Sequence, residues 1–172
     1  MPELNSTEQL RLWFRKCPAI QNKNRFRVNF LSESPTEYAI YSVPSEIRTH
    51  ENIIGEIVLD DIQVQNFIFA SKESFGPDIQ QSLANLGFYD EVMAWIYQQN
   101  TVQNFPNIRE GRVKSIVPTL TAYPVEVGSG AAKYQIQLKM TYRSTGTNSS
   151  LPSSIPFPTV FSFPTPWAPP CM

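Results

Sequence analysis

The sequence predicts an α+β domain with a mainly antiparallel sheet of about five strands, and three patterns carry that expectation. Tyr134, Ile136, Leu138, Met140 and Tyr142 alternate with Lys133, Gln135, Gln137, Lys139 and Thr141, the two-residue period of a strand with one buried face. The coarse order along the chain is one helix, three strands, two helices and two strands, which segregates helices from strand runs as α+β domains do. Finally, all 14 Lys and Arg and all 15 Asp and Glu lie within residues 1–143, leaving 144–172 without a charge. The division predicted is a folded domain over 1–143 and an extended C-terminal strap over 144–172.

The elements follow in order. Ser6-Thr7-Glu8-Gln9 reads as a capping box that opens a short amphipathic helix over about 7–16, with Leu10, Leu12, Trp13 and Phe14 as its apolar residues. Cys17-Pro18 ends it, because a residue before proline is pushed out of the helical region. Arg25 to Leu31 alternates, placing Phe26, Val28 and Phe30 on one face of a first strand. The turn signal Ser32-Glu33-Ser34-Pro35 precedes Tyr38-Ala39-Ile40-Tyr41-Ser42-Val43, and a hairpin between the two strands is the economical reading. A polar loop, Pro44 to Gly55, leads to a third strand within Ile57 to Ala70. Its Phe67-Ile68-Phe69 triplet is apolar on both faces, so this strand should be central, covered by helices on one side or by a neighbouring subunit on the other.

Between the third and fourth strands two helices are expected. Pro77 suits a first helical turn, Ile79, Leu83 and Leu86 fall at i, i+4 and i+7, and Gly87 reads as a left-handed stop. A second helix over about Tyr89 to Gln99 presents Val92, Met93, Trp95 and Ile96, with Asp90 and Glu91 at its positive end. A fourth strand starts at Arg112-Val113 and runs past Pro118 to Tyr123, where the proline implies an edge position or a bulge. Gly128-Ser129-Gly130 is the turn into the last strand.

Composition excludes several functions. A net charge of −1 gives no basic field for non-specific duplex binding. No apolar run approaches the ~20 residues needed to span a bilayer. Met1-Pro2-Glu3-Leu4-Asn5 lacks the regions of a signal peptide, so synthesis in the cytosol is expected. Cys17 and Cys171 have neither CxxC nor Cys/His spacing, and both are expected as free thiols. The single histidine, His50, lies in a polar loop with no local partner. No GxSxG motif accompanies it, so no catalytic residue is assigned. Asp60-Asp61 reads as a solvated strand start, since adjacent carboxylates in an extended chain point to opposite faces. Gly128-Ser129-Gly130 has no following Lys-Ser/Thr, so it is no phosphate loop. No cofactor and no metal site is expected.

Two features remain as candidate binding sites. Arg25 and Arg27, with Arg109, Arg112 and Lys114, could line a channel or meet an acidic partner; the alternative is a set of solvated outer faces. The strap holds 7 of the 15 prolines and the apolar residues Ile155, Phe157, Val160, Phe161, Phe163 and Trp167. Flexible linkers are rich in Gly, Ser and charge, whereas this segment offers aromatic anchors on a proline-stiffened backbone. It reads as an extended strap against another subunit or protein, or alternatively as a tail folded back over its own domain.

Asn29-Phe30-Leu31-Ser32-Glu33-Ser34-Pro35-Thr36-Glu37-Tyr38, Phe67-Ile68-Phe69-Ala70-Ser71-Lys72-Glu73-Ser74-Phe75-Gly76 leading to Leu86-Gly87-Phe88-Tyr89, and Ala132-Lys133-Tyr134-Gln135-Ile136-Gln137-Leu138 resemble small phage proteins often labelled minor capsid proteins, which look like tail terminators. The likeness covers about residues 7–143 in the same order, and its motifs are structural. It implies a small α+β subunit of a homo-hexameric ring that caps the tail tube and joins the tail to the neck, connector or head completion protein. DNA would pass through such a ring without sequence-specific recognition, and the location implied is the virion, at the tail–neck junction. The family has no catalytic residues to carry over. This chain departs from the pattern after Arg143, where members usually stop soon after the last strand. A head completion or connector adaptor ring is the neighbouring alternative, and a small cytosolic enzyme is the alternative of another class.

Overall fold

The computed structural model describes residues 5–145. Helix α1 spans Ser6–Phe14 and is capped by Asn5, whose side chain accepts the Glu8 amide at 2.9 Å. The cap thus lies one residue before the Ser6 expected from the sequence, and Ser6 is buried as the first helical residue. Glu8 pairs with Arg11 instead of reaching back, and Arg11 Nη1 donates to the Phe26 carbonyl at 2.9 Å, tying the helix to the first strand.

Strand β1 is only Phe26–Val28, following a single 3-10 turn at Lys23–Arg25. It lies beside β2, Glu37–Val43, in parallel, with Phe26 opposite Tyr38 and Val28 opposite Ile40, so the expected hairpin is not formed. Asn29 at φ 54° ends β1 in the left-handed region, which Asn tolerates better than most residues. Its side chain accepts the Ser42 amide, and Phe30 is left 56% exposed. The connection is held by Glu37, whose carboxylate accepts the Ser32 amide at 3.1 Å and lies 3.8 Å from Arg27 Nε. Hydrogen bonding from Ser32, with Arg27 and Arg25 nearby, keeps that carboxyl below the usual range. Parallel neighbours ordinarily need a crossover of a dozen residues or more; a three-residue strand needs less chain to run back.

The expected polar loop contains β3 (Thr49–Glu51), which pairs with β4 (Ile57–Leu59), so the first residues of the expected third strand leave the main sheet for a separate two-stranded one. After Asp60-Asp61 comes β5, Ile62–Ser74, then a single helix α2, Ile79–Thr101, and the long hairpin of β6 (Gly111–Val127) and β7 (Ala131–Ser144). The main sheet has the order β1-β2-β5-β7-β6, mixed because of the β1–β2 pair and otherwise antiparallel, with β5 at its centre as expected. β6 is an edge, and its register shifts after Val113 and around Pro118, Leu120 and Pro124, in keeping with the prolines.

Where two helices were expected there is one. α2 is capped by Asp78 through the Gln80 amide and continues through Gly87. Its buried stripe is Asn85, Tyr89, Val92, Ile96 and Gln99, with Trp95 beside it. Ile79, Leu83 and Leu86 fall roughly 100–160° around the helix from that stripe. They are 73%, 56% and 41% exposed. The anchoring of the downstream stripe offsets the cost of a mid-helix glycine, about 1 kcal/mol against alanine.

The core joins both helices to the sheet. Phe14 stacks on Phe69 at 5.2 Å, Trp13 lies 4.6 Å from Trp95, and Phe26, Tyr38, Phe88 and Tyr89 extend the aromatic cluster. Phe67 and Phe69 sit beside Leu138 and Ile136 in register, and Tyr134 and Met140 complete the alternating buried face of β7. The Tyr89 hydroxyl bonds Ser71 Oγ at 2.7 Å and donates to the Tyr134 carbonyl at 2.9 Å, so the buried phenol crosses to two strands. Cys17 is fully buried in this cluster, and burial pushes its thiol up, as for a structural cysteine.

Candidate functional site

The sequence-level candidates fall into three places. Arg25 and Arg27 flank or lie on β1, one edge of the sheet, whereas Arg112 and Lys114 lie on β6, the opposite edge. The five basic residues therefore do not form one surface on a single chain. Arg109 and Arg112 share a groove of about 490 Å³ with Phe105, Pro106 and Thr145. The strap residues Ile155, Phe157, Val160, Phe161, Phe163 and Trp167, together with Cys171, lie outside the described residues.

His50 does have a partner. The β3–β4 hairpin sets it opposite Val58, and His50 Nδ1 lies 2.7 Å from Asp60 Oδ1. Local sequence could not show this, because the partner is ten residues away across a turn. Both side chains are solvent-accessible, at 57% and 36%, so the pair lacks the shielding that general-base chemistry uses. Among the described residues no group of three or more His, Cys, Asp and Glu is placed to hold a metal ion. Nor is any helix there long and apolar enough to cross a membrane.

What sequence reasoning missed is exposed apolar surface, in three patches. The outward stripe of α2 carries Ile79, Leu83, Leu86 and Tyr97. Ile53, Ile54, Ile57 and Leu59 belong to the β3–β4 hairpin and its turn, between 52% and 102% exposed. Leu120, Tyr123, Val125 and Val127 line the distal part of β6. Single exposed apolar residues are ordinary, but clusters mark contact surfaces.

The β6 patch is also a backbone feature. Near its start the edge is blocked: the Asn100 side chain at the end of α2 accepts the Ile116 amide at 3.1 Å and donates to the Ile116 carbonyl at 2.6 Å. Beyond Pro118 no other strand of the described chain pairs with the outer side of β6. Open edges invite pairing with another chain, and proteins that do not use them usually cover them. Pro118 and Pro124 each remove a backbone donor from this strand. The signal for this edge was present in the sequence as Pro118. Its extent depended on how far β6 follows β7.

No family model matches the chain, and comparison with curated proteins finds no match.

Proposed function

We propose that the chain is the subunit of a phage tail terminator ring, a homo-hexamer that caps the tail tube and joins it to the neck or connector. One observation carries the reading: the distal β6 edge, with Leu120, Tyr123, Val125 and Val127 exposed, is unpaired by any other strand among the described residues. A head-to-tail contact between identical chains closes into a ring when the rotation permits, and it uses two different surfaces of each chain. Here the surfaces available differ in that way, a short β1 edge on one side and the long β6 edge on the other. The basic groups then take a different role from a single patch. Arg25 and Arg27 approach Arg112 and Lys114 only between adjacent chains, where like charges repel unless they face a channel or an acidic partner. The uncharged strap supplies contacts beyond the ring, to a neighbouring subunit or a neck protein.

Light scattering coupled to size exclusion, run into the micromolar range, tests this. The expected product has six times the 19.6 kDa mass of one chain and binds the ends of tail tubes in electron micrographs. A chain that stays monomeric and ignores tubes and connectors overturns the proposal.

A further inference from the structure

Chain exit coincides with a groove whose lining is part apolar and part polar, the latter including Glu46, Arg109 and Glu110. Ser144 donates its amide to the Asp61 carbonyl at 2.8 Å and Thr145 to the Glu110 carbonyl at 3.2 Å, so the last described residues are fixed in place. Both line a groove of about 680 Å³, whose apolar walls are Val43, Ile47, Leu59, Val64 and Tyr142. Ile47 and Leu59 are 72% and 52% exposed there. The sequence continues with Gly146-Thr147-Asn148-Ser149-Ser150, five small polar residues, and then Leu151-Pro152-Ser153-Ser154-Ile155-Pro156-Phe157.

We propose that this groove is the seat of residues 151–157 of the same chain. Five residues of this composition have a root-mean-square span of roughly 12 Å, enough to turn the chain back into a groove that begins at Thr145. Loop closure at this length costs little, and the tether holds the apolar residues at an effective concentration in the millimolar range. Leu151, Ile155 and Phe157 supply the apolar side chains, and Pro152 and Pro156 reduce the entropy lost on seating. The segment has no charge to desolvate. The groove volume is that of a small-ligand site, so it takes a few side chains and not the whole strap. Seating 151–157 therefore aims Val160 to Trp167 away from the groove. The seat stands without the ring; only the destination of 160–167 rests on the reading above.

The test uses the full-length protein with the photo-crosslinking residue p-benzoylphenylalanine in place of Phe157 or, separately, Phe163. Irradiation of the Phe157 variant should give a product of monomer mass, mapped by mass spectrometry to Ile47, Leu59 or Tyr142. The Phe163 variant should not label those residues. Ile47→Asp and Leu59→Asp, both at exposed positions, should reduce the Phe157 product at least tenfold while leaving the thermal melt in place. Phe157 products on the α2 stripe, products of dimer mass, or no dependence on Ile47 and Leu59 each overturn the seat. None of these readouts depends on ring formation, which light scattering reports separately.

Discussion

Replacing Gly87 with alanine tests the continuity of α2, the point at which local sequence and structure disagree most. Gly87 is the ninth residue of a 23-residue helix, and a Cβ built there meets nothing within 4 Å. Alanine therefore gains the helix-propensity difference, about 0.8–1.0 kcal/mol, with no steric cost. For a chain of this size that is a rise in Tm of roughly 2–4 °C. Urea denaturation at fixed protein concentration, followed by helix circular dichroism and tryptophan fluorescence, should show a higher midpoint and an unchanged slope. A left-handed stop at Gly87 gives the opposite sign, because a Cβ in that conformation costs roughly 1–2 kcal/mol. Destabilisation of that size would refute the continuous helix. It would also remove the reason Ile79, Leu83 and Leu86 face outward, since their position depends on sharing one axis with Tyr89, Val92 and Ile96.

The other predictions concern the core, acid response and assembly. Tyr89→Phe removes the buried hydroxyl that bonds Ser71 and the Tyr134 carbonyl and should cost about 1–3 kcal/mol in urea melts. Gly111→Ala drives a methyl into the Arg143 carbonyl where β6 meets β7 and should cost about 1–3 kcal/mol in the same measurement. Burial raises the Glu73 carboxyl above the ordinary carboxylate value of about 4.5, and its Oε1 has no hydrogen-bond partner among the described residues. The native state therefore holds the proton more tightly than the unfolded chain, and this contribution to stability is present below pH 4.5 and lost as pH rises through the native value. Glu73→Gln should accordingly stabilise at pH 7, with the gain vanishing below pH 4.5 in pH-dependent melts. Deleting 144–172 should leave the domain folded, with its far-ultraviolet spectrum and a cooperative melt retained, but weaken joining of tails to heads. An unfolded product would instead mean that the segment completes the core.

Residue patterns that report local geometry were legible in advance. The alternation of β7 needed only a period of two, and its buried face in the structure is the expected one. The central position of β5 followed from Phe67-Ile68-Phe69, though the structure covers only one face with helices. Pro118 implied an edge position or a bulge, because a proline cannot donate to a ladder, and β6 has both. The first helix was also visible, with its cap misplaced by one residue because Asn5 and Ser6 are both good caps and burial chose between them.

What the sequence by itself determined is therefore the class of the domain, the identity of most strands and the boundary where charge ends. The tertiary structure decided which strands are neighbours and in which direction: β1 runs parallel to β2, with Asn29 in the left-handed region and Glu37 bonded to Ser32 across the connection. It decided that Gly87 lies inside a helix, because burial of Tyr89, Val92, Trp95 and Ile96 outweighs the propensity of one residue. It also sent the basic residues to opposite edges and gave His50 its Asp60 partner. Periodicity is a property of adjacent residues, whereas direction, neighbour and exposure are properties of segments that meet across the fold, and only packing selects among them.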